Sequence, residues 1–383
     1  MKRSIIPFLL ISVVLNYSCS ARNERQREGR SLHADNSIIA AERFTIQVTD
    51  SCTIVTVINP WQGAKGINNI SYLIRRGTKI PSGIDSAEVI FVPLKKIICM
   101  STTHLAMISA LNEENTISGV SGARFIYRKT LYDKVKNGQI LDIGYESSLN
   151  KELIIKTAPD LIMMYGIGSE SAGYINKIKE LGVKTIFNAD YLENDPLGKA
   201  EWIKLFGALY CKEEMADSIF RSLSEEYLQI KNFIGKNIDS RPGVILGLPF
   251  KDTWFISPGN SYISKIISDA GGNYLWKESE SSVSMPFGIE NVYLKALSAD
   301  YWLNIGGVNS RDEILSIDAR LAELPCFKKG NLFNNNKRIN NNGGNDYWES
   351  GSLYPHLILK DVASILHPGL FIMNELFYYR KLN

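Results

Sequence analysis

A long amphipathic helix near the middle of the chain is the feature that most constrains the fold. Residues 212–236 carry apolar side chains at spacings of three and four, which place them on one face of a helix. These apolar residues are Met215, Ile219, Leu223, Tyr227, Ile230 and Ile234. At about 1.5 Å per residue the helix would be roughly 35 Å long, about the width of a small domain. Its length and central position therefore predict a rigid connection between two lobes.

Short strands and helices alternate on both sides of this helix. Strand 96–100 opens the alternation before it, and strand 243–248 resumes it afterwards. This order of elements is typical of mostly parallel sheets covered by helices. We therefore predict an α/β protein with two α/β lobes, over 41–190 and 237–383, joined by connecting helices over 191–236.

The beginning of the N-terminal lobe has a different pattern. Residues 43–58 indicate two short strands around a turn, and residues 70–75 and 88–92 indicate two more. No helical segment separates these strands. We therefore predict an additional N-terminal antiparallel β ribbon over 43–92.

The first forty residues have the pattern of a secreted lipoprotein. Two basic residues precede the apolar run 5–15, which is too short to span a bilayer and predicts a signal peptide over 1–19. Cys19 resembles the lipidated cysteine of a bacterial lipobox, although Asn16 stands where that motif usually has Leu. Residues 20–40 are polar and aperiodic, which predicts a flexible tether. The alternative is cleavage to a soluble secreted protein.

Composition excludes some functions and weakens others. The 383 residues contain 43 basic and 40 acidic side chains, so nothing supports nucleic-acid binding. Four histidines lie far apart in the sequence and supply few ligands for a metal site, and none of the common enzyme motifs is present. If Cys19 takes lipid, four cysteines remain that could pair in three ways. They are Cys52, Cys99, Cys211 and Cys326.

Candidate ligand-binding residues follow the strands, because parallel sheets bind ligands beyond the carboxyl ends of their strands. Most of them are aromatic or hydroxyl side chains, which suit a large, partly apolar ligand better than hydrolysis. Arg124 could meet an anionic ligand, and His104 could instead cap or pack its helix. The predicted cleft residues are Ser101, Thr102, His104, Arg124, Tyr165, Trp254, Tyr347 and Trp348.

Several stretches resemble one family of binding proteins. Residues 96–111, 142–165 and 290–305 resemble the substrate-binding proteins of ABC importers for iron-siderophores, haem and cobalamin. The most specific signal is a glutamate followed, several residues later, by Pro-Asp-Leu and a strand. The resemblance covers roughly residues 90–370. It implies a monomer with two lobes joined by one long helix, a chelate ligand in the cleft, no cofactor, and a permease partner.

The resemblance also assigns two glutamates. Glu152 and Glu290 match the residues with which this family docks on arginines of the membrane permease, one from each lobe. The second motif departs from the family pattern, because Ser298–Asp300 replaces the usual Pro-Asp. Alternatively, both glutamates have a structural role only, because the N-terminus of a helix favours an acidic side chain.

The resemblance therefore predicts a periplasmic, membrane-anchored protein that captures an iron chelate (a siderophore complex or haem) or cobalamin and delivers it to an importer. Alternatives are a zinc or manganese importer protein, a periplasmic enzyme, and a tethered sensor on the same fold. The sequence does not choose among the chelates.

Overall fold

The computed structural model describes five stretches of the chain. They are residues 38–145, 148–166, 178, 180–371 and 375–383. The predicted signal peptide, Cys19 and most of the predicted tether lie outside the described residues.

A four-stranded sheet forms the first part of the N-terminal lobe. Its strands are β1 (Phe44–Val48), β2 (Thr53–Ile58), β3 (Asn68–Arg75) and β4 (Val89–Val92). The pairs β1–β2 and β2–β3 are antiparallel, as predicted for the ribbon. The last strand departs from that prediction, because β4 runs parallel to β3. The connection over 76–88 is long enough for the crossover of about a dozen residues that a parallel pair requires.

The N-terminal lobe is built on a five-stranded, fully parallel sheet. Its spatial order is β7-β6-β5-β8-β9, and β5 and β8 are buried along their whole length, as expected for strands covered on both faces. The strands are β5 (Ile97–Cys99), β6 (Ile117–Val120), β7 (Leu141–Asp142), β8 (Leu161–Met164) and β9 (Thr185–Phe187). Among its described residues the α-helices are α1 (Thr102–Ala110), α2 (Lys129–Lys136) and α3 (Lys151–Thr157).

Three consecutive helices connect the lobes. They are α4 (Pro196–Glu201), α5 (Ile203–Tyr210) and α6 (Glu213–Asn237). The long helix α6 matches the predicted 212–236 within one residue at each end. Its amino-terminal half contributes Phe220 and Leu223 to the core of the N-terminal lobe. Its carboxyl-terminal half contributes Tyr227 and Ile234 to a second core, so one helix is part of both lobes.

The C-terminal lobe has a second five-stranded sheet, parallel except at one edge. Its order is β13-β10-β15-β16-β17, and only β17 is antiparallel to its neighbour. Strands β11, β12 and β14 form a small separate antiparallel sheet. The strands are β10 (Gly243–Leu246), β11 (Pro249–Phe250), β12 (Thr253–Ile256), β13 (Asn273–Tyr274), β14 (Met285–Gly288), β15 (Tyr301–Leu303), β16 (Leu332–Asn334) and β17 (Arg380–Lys381).

The described residues of this lobe form six α-helices. They are α7 (Tyr262–Asp269), α8 (Ile289–Ala296), α9 (Arg311–Ile317), α10 (Pro325–Lys328), α11 (Asp346–Glu349) and α12 (Pro355–Leu366). The segment around α11 crosses onto the N-terminal lobe, where Leu353 joins the hydrophobic core of that lobe. The two lobes are thus in contact through this segment as well as through α6.

The first described residues are held by a buried carboxylate. Glu201 in α4 is fully buried, and its carboxylate accepts hydrogen bonds from the backbone amides of Ile39, Ala40 and Ala41, at 2.7 to 3.1 Å. Lys204 forms a 3.0 Å ion pair with the same carboxylate. The last residues of the predicted tether are therefore docked onto the connecting helices.

The described cysteines are all free thiols, and they are Cys52, Cys99, Cys211 and Cys326. In the part of the chain that the structure describes, no helix combines the length and apolarity needed to cross a bilayer.

Candidate functional site

A cavity of about 460 Å³ lies between the two lobes. This volume is within the range of roughly 300–1,000 Å³ that is typical of small-molecule sites. Residues of both lobes and of α4 line it. Its aromatic lining residues are Phe125, Tyr145, Tyr165, Tyr191, Tyr262, Tyr347 and Trp348. Its polar side chains include Ser101, Thr102, Thr103, Ser121, Asp190, Lys199, Asn345 and Ser352.

The wall from the N-terminal lobe is formed where parallel strands end. Ser101 follows β5, Ser121 follows β6, and Tyr165 follows β8. Ser101 also caps α1, because its side chain accepts a 3.3 Å hydrogen bond from the backbone amide of Thr103. The hydroxyl oxygens of these two residues lie 3.1 Å apart. Helix capping therefore holds a pair of hydroxyl groups at the cavity surface.

Pairs of aromatic rings extend this wall towards the mouth. The rings of Tyr165 and Tyr191 meet edge to face, with centroids 4.9 Å apart. Those of Phe125 and Tyr145 lie 5.4 Å apart, and both residues are partly exposed. The Tyr191 hydroxyl donates a hydrogen bond to the carbonyl of Gly166, which orients that ring.

The opposite wall comes from the short helix α11. Its N-cap, Asn345, accepts a 3.0 Å hydrogen bond from the backbone amide of Tyr347. The Tyr347 and Trp348 rings meet edge to face, with centroids 4.8 Å apart. Tyr347 is buried, whereas Trp348 is 61% exposed although it lines the cavity. Trp348 therefore presents a large apolar surface at the mouth, where a ligand can cover it.

Two side chains of opposite charge line the cavity. Asp190 is fully buried, and this burial raises the pKa of its carboxyl group, while nearby Lys199 acts in the opposite direction. Thr103 also favours the charged form of Asp190, yet no described group donates a hydrogen bond of normal geometry to either carboxylate oxygen. The Lys199 ammonium instead lies 5.1 Å from the centroid of the Tyr262 ring.

Five of the eight predicted cleft residues line this cavity. They are Ser101, Thr102, Tyr165, Tyr347 and Trp348. Arg124 is exposed beside it, with its guanidinium 4.6 Å from the centroid of the Phe125 ring.

His104 and Trp254 are not part of the cavity. His104 is fully buried in α1 with its ring 6.2 Å from that of Phe206, and burial lowers its pKa to about 3, so it is neutral. Trp254 is also fully buried, and its ring nitrogen donates a 3.0 Å hydrogen bond to the carbonyl of Leu246. Strand β12 pairs antiparallel on both sides, which directs Trp254 into the core against Trp302.

The two predicted docking glutamates lie outside the cavity, on different lobes. Glu152 is in the first turn of α3, which Asn150 caps, and Glu290 is in the first turn of α8. Both side chains are exposed. The Glu290 carboxylate lies 3.3 Å from the guanidinium of Arg320, an exposed contact that adds little stability.

Several lining residues were not among the predicted ones. Asp190 and Tyr191 come three and four residues after β9, so the rule of strand ends that identified Tyr165 would also have identified them. Tyr262 follows no strand directly and opens α7. Lys199 lies within α4, and no sequence pattern distinguishes it from a solvated helix lysine. Among the described residues, no cluster of three or more His, Cys, Asp or Glu side chains has the geometry of a metal site.

Two lobes of parallel sheet and helix, a long helix common to both, and a ligand-sized cavity between them define a solute-binding protein. Residues 97–337, more than half of the chain, match the model of the periplasmic binding protein family. The chain belongs to this family.

Relatives and solved structures agree with this assignment. An uncharacterized lipoprotein of Methanocaldococcus jannaschii is 29% identical, over 85% of this chain and 81% of its own length. A periplasmic haem-binding protein from Pseudomonas aeruginosa superposes with a TM-score of 0.58 at 15% identity, covering 76% of this chain and 98% of that one. A periplasmic vitamin B12-binding protein of Vibrio cholerae superposes with a TM-score of 0.51 at 15% identity, covering 72% of this chain and 97% of that one. These structural matches establish the fold.

Proposed function

We propose that this protein captures an iron chelate, haem or cobalamin between its lobes and delivers it to the permease of an ABC importer. The observation that carries the proposal is the cavity of about 460 Å³, with seven aromatic side chains on walls from both lobes. Aromatic faces with a few fixed hydroxyl groups suit a large, partly apolar ligand that must be bound and then released unchanged. The protein acts as a binding protein, not as an enzyme.

Delivery requires that the protein stay at the membrane and contact the permease. We propose that Cys19 carries the lipid and that the stretch 20–40 serves as the tether. Relatives described as lipoproteins support this reading. Exposed Glu152 and Glu290 would contact basic residues of the permease, one from each lobe.

Thermal unfolding with and without ligand tests the proposal. Purified protein lacking the first 19 residues is heated with a ferric siderophore, haem or cobalamin, and with the iron-free siderophore as the control. A ligand at about 100 times its Kd stabilises a protein by roughly 2.7 kcal/mol, so a true ligand will clearly raise the Tm. If none of the three raises the Tm at concentrations well above micromolar, the proposed ligand class is wrong.

A further inference from the structure

Asp190 is held in the cavity wall by the backbone around it. It opens the 3-10 helix Asp190–Leu192, three residues after β9, and its own backbone amide donates a 3.0 Å hydrogen bond to the side-chain oxygen of Asn188. The residue is fully buried from bulk solvent and lines the cavity. This local hydrogen bond fixes the backbone that places Asp190 in the cavity wall.

Neither oxygen of the Asp190 carboxylate has a hydrogen-bond partner of normal geometry among the described residues. The Thr103 hydroxyl, the Tyr191 backbone amide and the Lys199 ammonium favour its charged form without a contact of normal hydrogen-bond geometry. A buried, unpaired carboxylate costs free energy, because it has lost water without gaining donors. A ligand in the cavity can supply the missing partner.

The surroundings of Asp190 favour a positively charged partner over a neutral one. Tyr262 and Tyr347 are aromatic residues of the same cavity, and aromatic faces attract cationic nitrogen. The Lys199 ammonium already lies 5.1 Å from the Tyr262 ring, so this ring accommodates a cation in the structure itself. The Tyr262 hydroxyl is buried and has no hydrogen-bond partner, so it is available to the ligand.

We propose that Asp190, together with Tyr262, binds an amino group of the ligand, and that the ligand is therefore a ferric chelate carrying a primary amine. This inference rests on the proposed function and narrows it. Haem presents carboxylates at its edge, and cobalamin presents neutral amides, so neither supplies the cation that the carboxylate requires. A ferric siderophore with a free amine supplies it.

Two ligands that differ only at the amine test this proposal. Ferrioxamine B, a ferric trihydroxamate that ends in a primary amine, is compared by calorimetry with its N-acetylated form, which keeps an N–H but has no charge. Wild-type protein is expected to bind the amine form at least about tenfold more tightly, which corresponds to about 1.4 kcal/mol. The Asp190→Asn variant is expected to bind both forms equally. The exposed Asp252 provides the control, because Asp252→Asn should keep the preference.

Each outcome decides the question. If wild-type protein binds the amine and acetylated forms equally, the role of Asp190 is wrong but the proposed function stands. The same conclusion follows if the protein binds only haem or cobalamin. If none of these ligands binds, the proposed function fails. The Tm of the ligand-free proteins then tests whether the Asp190 carboxylate is kept for a ligand or for the fold. An Asp190→Asn protein that melts above wild type supports a carboxylate kept for a ligand, whereas one that melts below it indicates a structural carboxylate.

Discussion

Glu349 of the C-terminal lobe accepts a 2.6 Å hydrogen bond from the backbone amide of Tyr127 in the N-terminal lobe. The second oxygen of the same carboxylate accepts a 3.1 Å hydrogen bond from the amide of Arg128. Asn340 reinforces this contact, because its side-chain amide donates a 2.8 Å hydrogen bond to the carbonyl of Ile126. The lobes are therefore joined by polar contacts between the segment before α2 and the segment that contains α11, in addition to the shared helix α6.

The stability provided by Glu349 should depend on pH. Burial raises its pKa from 4.5 to about 7, so between these values the folded protein holds a proton that the unfolded chain has lost. The contribution of Glu349 therefore falls as pH rises through this window. The Gln side chain of Glu349→Gln cannot titrate, so this variant lacks the pH-dependent contribution. The difference in unfolding free energy between wild type and variant should therefore fall by up to about 3 kcal/mol between pH 4.5 and 8.

Urea unfolding of both proteins across this pH range measures the difference directly. Glu278→Gln provides the control, because Glu278 is an exposed carboxylate of the C-terminal lobe that takes no part in the contact with Tyr127 and Arg128. A constant difference between wild type and Glu349→Gln would show that Glu349 does not titrate in this range.

Two tryptophans should respond in opposite ways to truncation. Trp348 is 61% exposed at the cavity mouth, so Trp348→Ala should barely change the free energy of unfolding. Loss of its contact with the ligand, worth about 1.5–3 kcal/mol, should weaken ligand binding by roughly 10- to 100-fold. Trp254 is fully buried, so Trp254→Ala should destabilise the fold by about 3–5 kcal/mol. Calorimetry and urea unfolding of both variants separate the effects, and a stability loss in Trp348→Ala would place that ring in the core.

The same pair of tryptophans illustrates what the sequence could and could not predict about the site. The rule that ligands bind at strand ends identified Ser101 and Tyr165, because their strands are parallel members of one sheet. Trp254 also lies in a short apolar strand, but this strand pairs antiparallel with its neighbours in a separate small sheet. Pairing partners depend on contacts between distant residues, and hydrophobic pattern alone does not reveal them.

The fold was easier to predict from the sequence than the site, because it depends more on local patterns. The long helix was predicted within one residue at each end, because its apolar face repeats with the helical period over 25 residues. In contrast, Glu349 and Tyr127 are 222 residues apart in sequence, and the partner of Glu349 is a backbone amide, which has no signature in the side-chain pattern. Asp190 was missed although it comes three residues after β9, because in the sequence an isolated carboxylate resembles any solvated one.

The long helix should lose its mechanical role if its hydrogen bonding is interrupted. Glu225 is exposed midway along α6, between the two residues, Leu223 and Tyr227, that pack into different cores. Glu225→Pro should lower the free energy of unfolding by about 3 kcal/mol or more and weaken ligand binding, because the lobes are no longer held at a fixed separation. Glu225→Ala, which keeps the helix, should change stability by less than about 0.5 kcal/mol. Equal unfolding free energies of the two variants would contradict this role of α6.

The docking role of the two glutamates can be separated from ligand binding. Glu152 and Glu290 are exposed and do not line the cavity, so changing both to Ala should leave the Kd for ligand unchanged. Uptake by cells should be lost, because both contacts with the permease are removed together. Changing the exposed pair Glu278 and Glu280 to Ala removes the same charge elsewhere on the surface and should leave uptake intact. Normal uptake by the first double variant would exclude docking through these glutamates, and a loss in both variants would indicate only a general effect of charge.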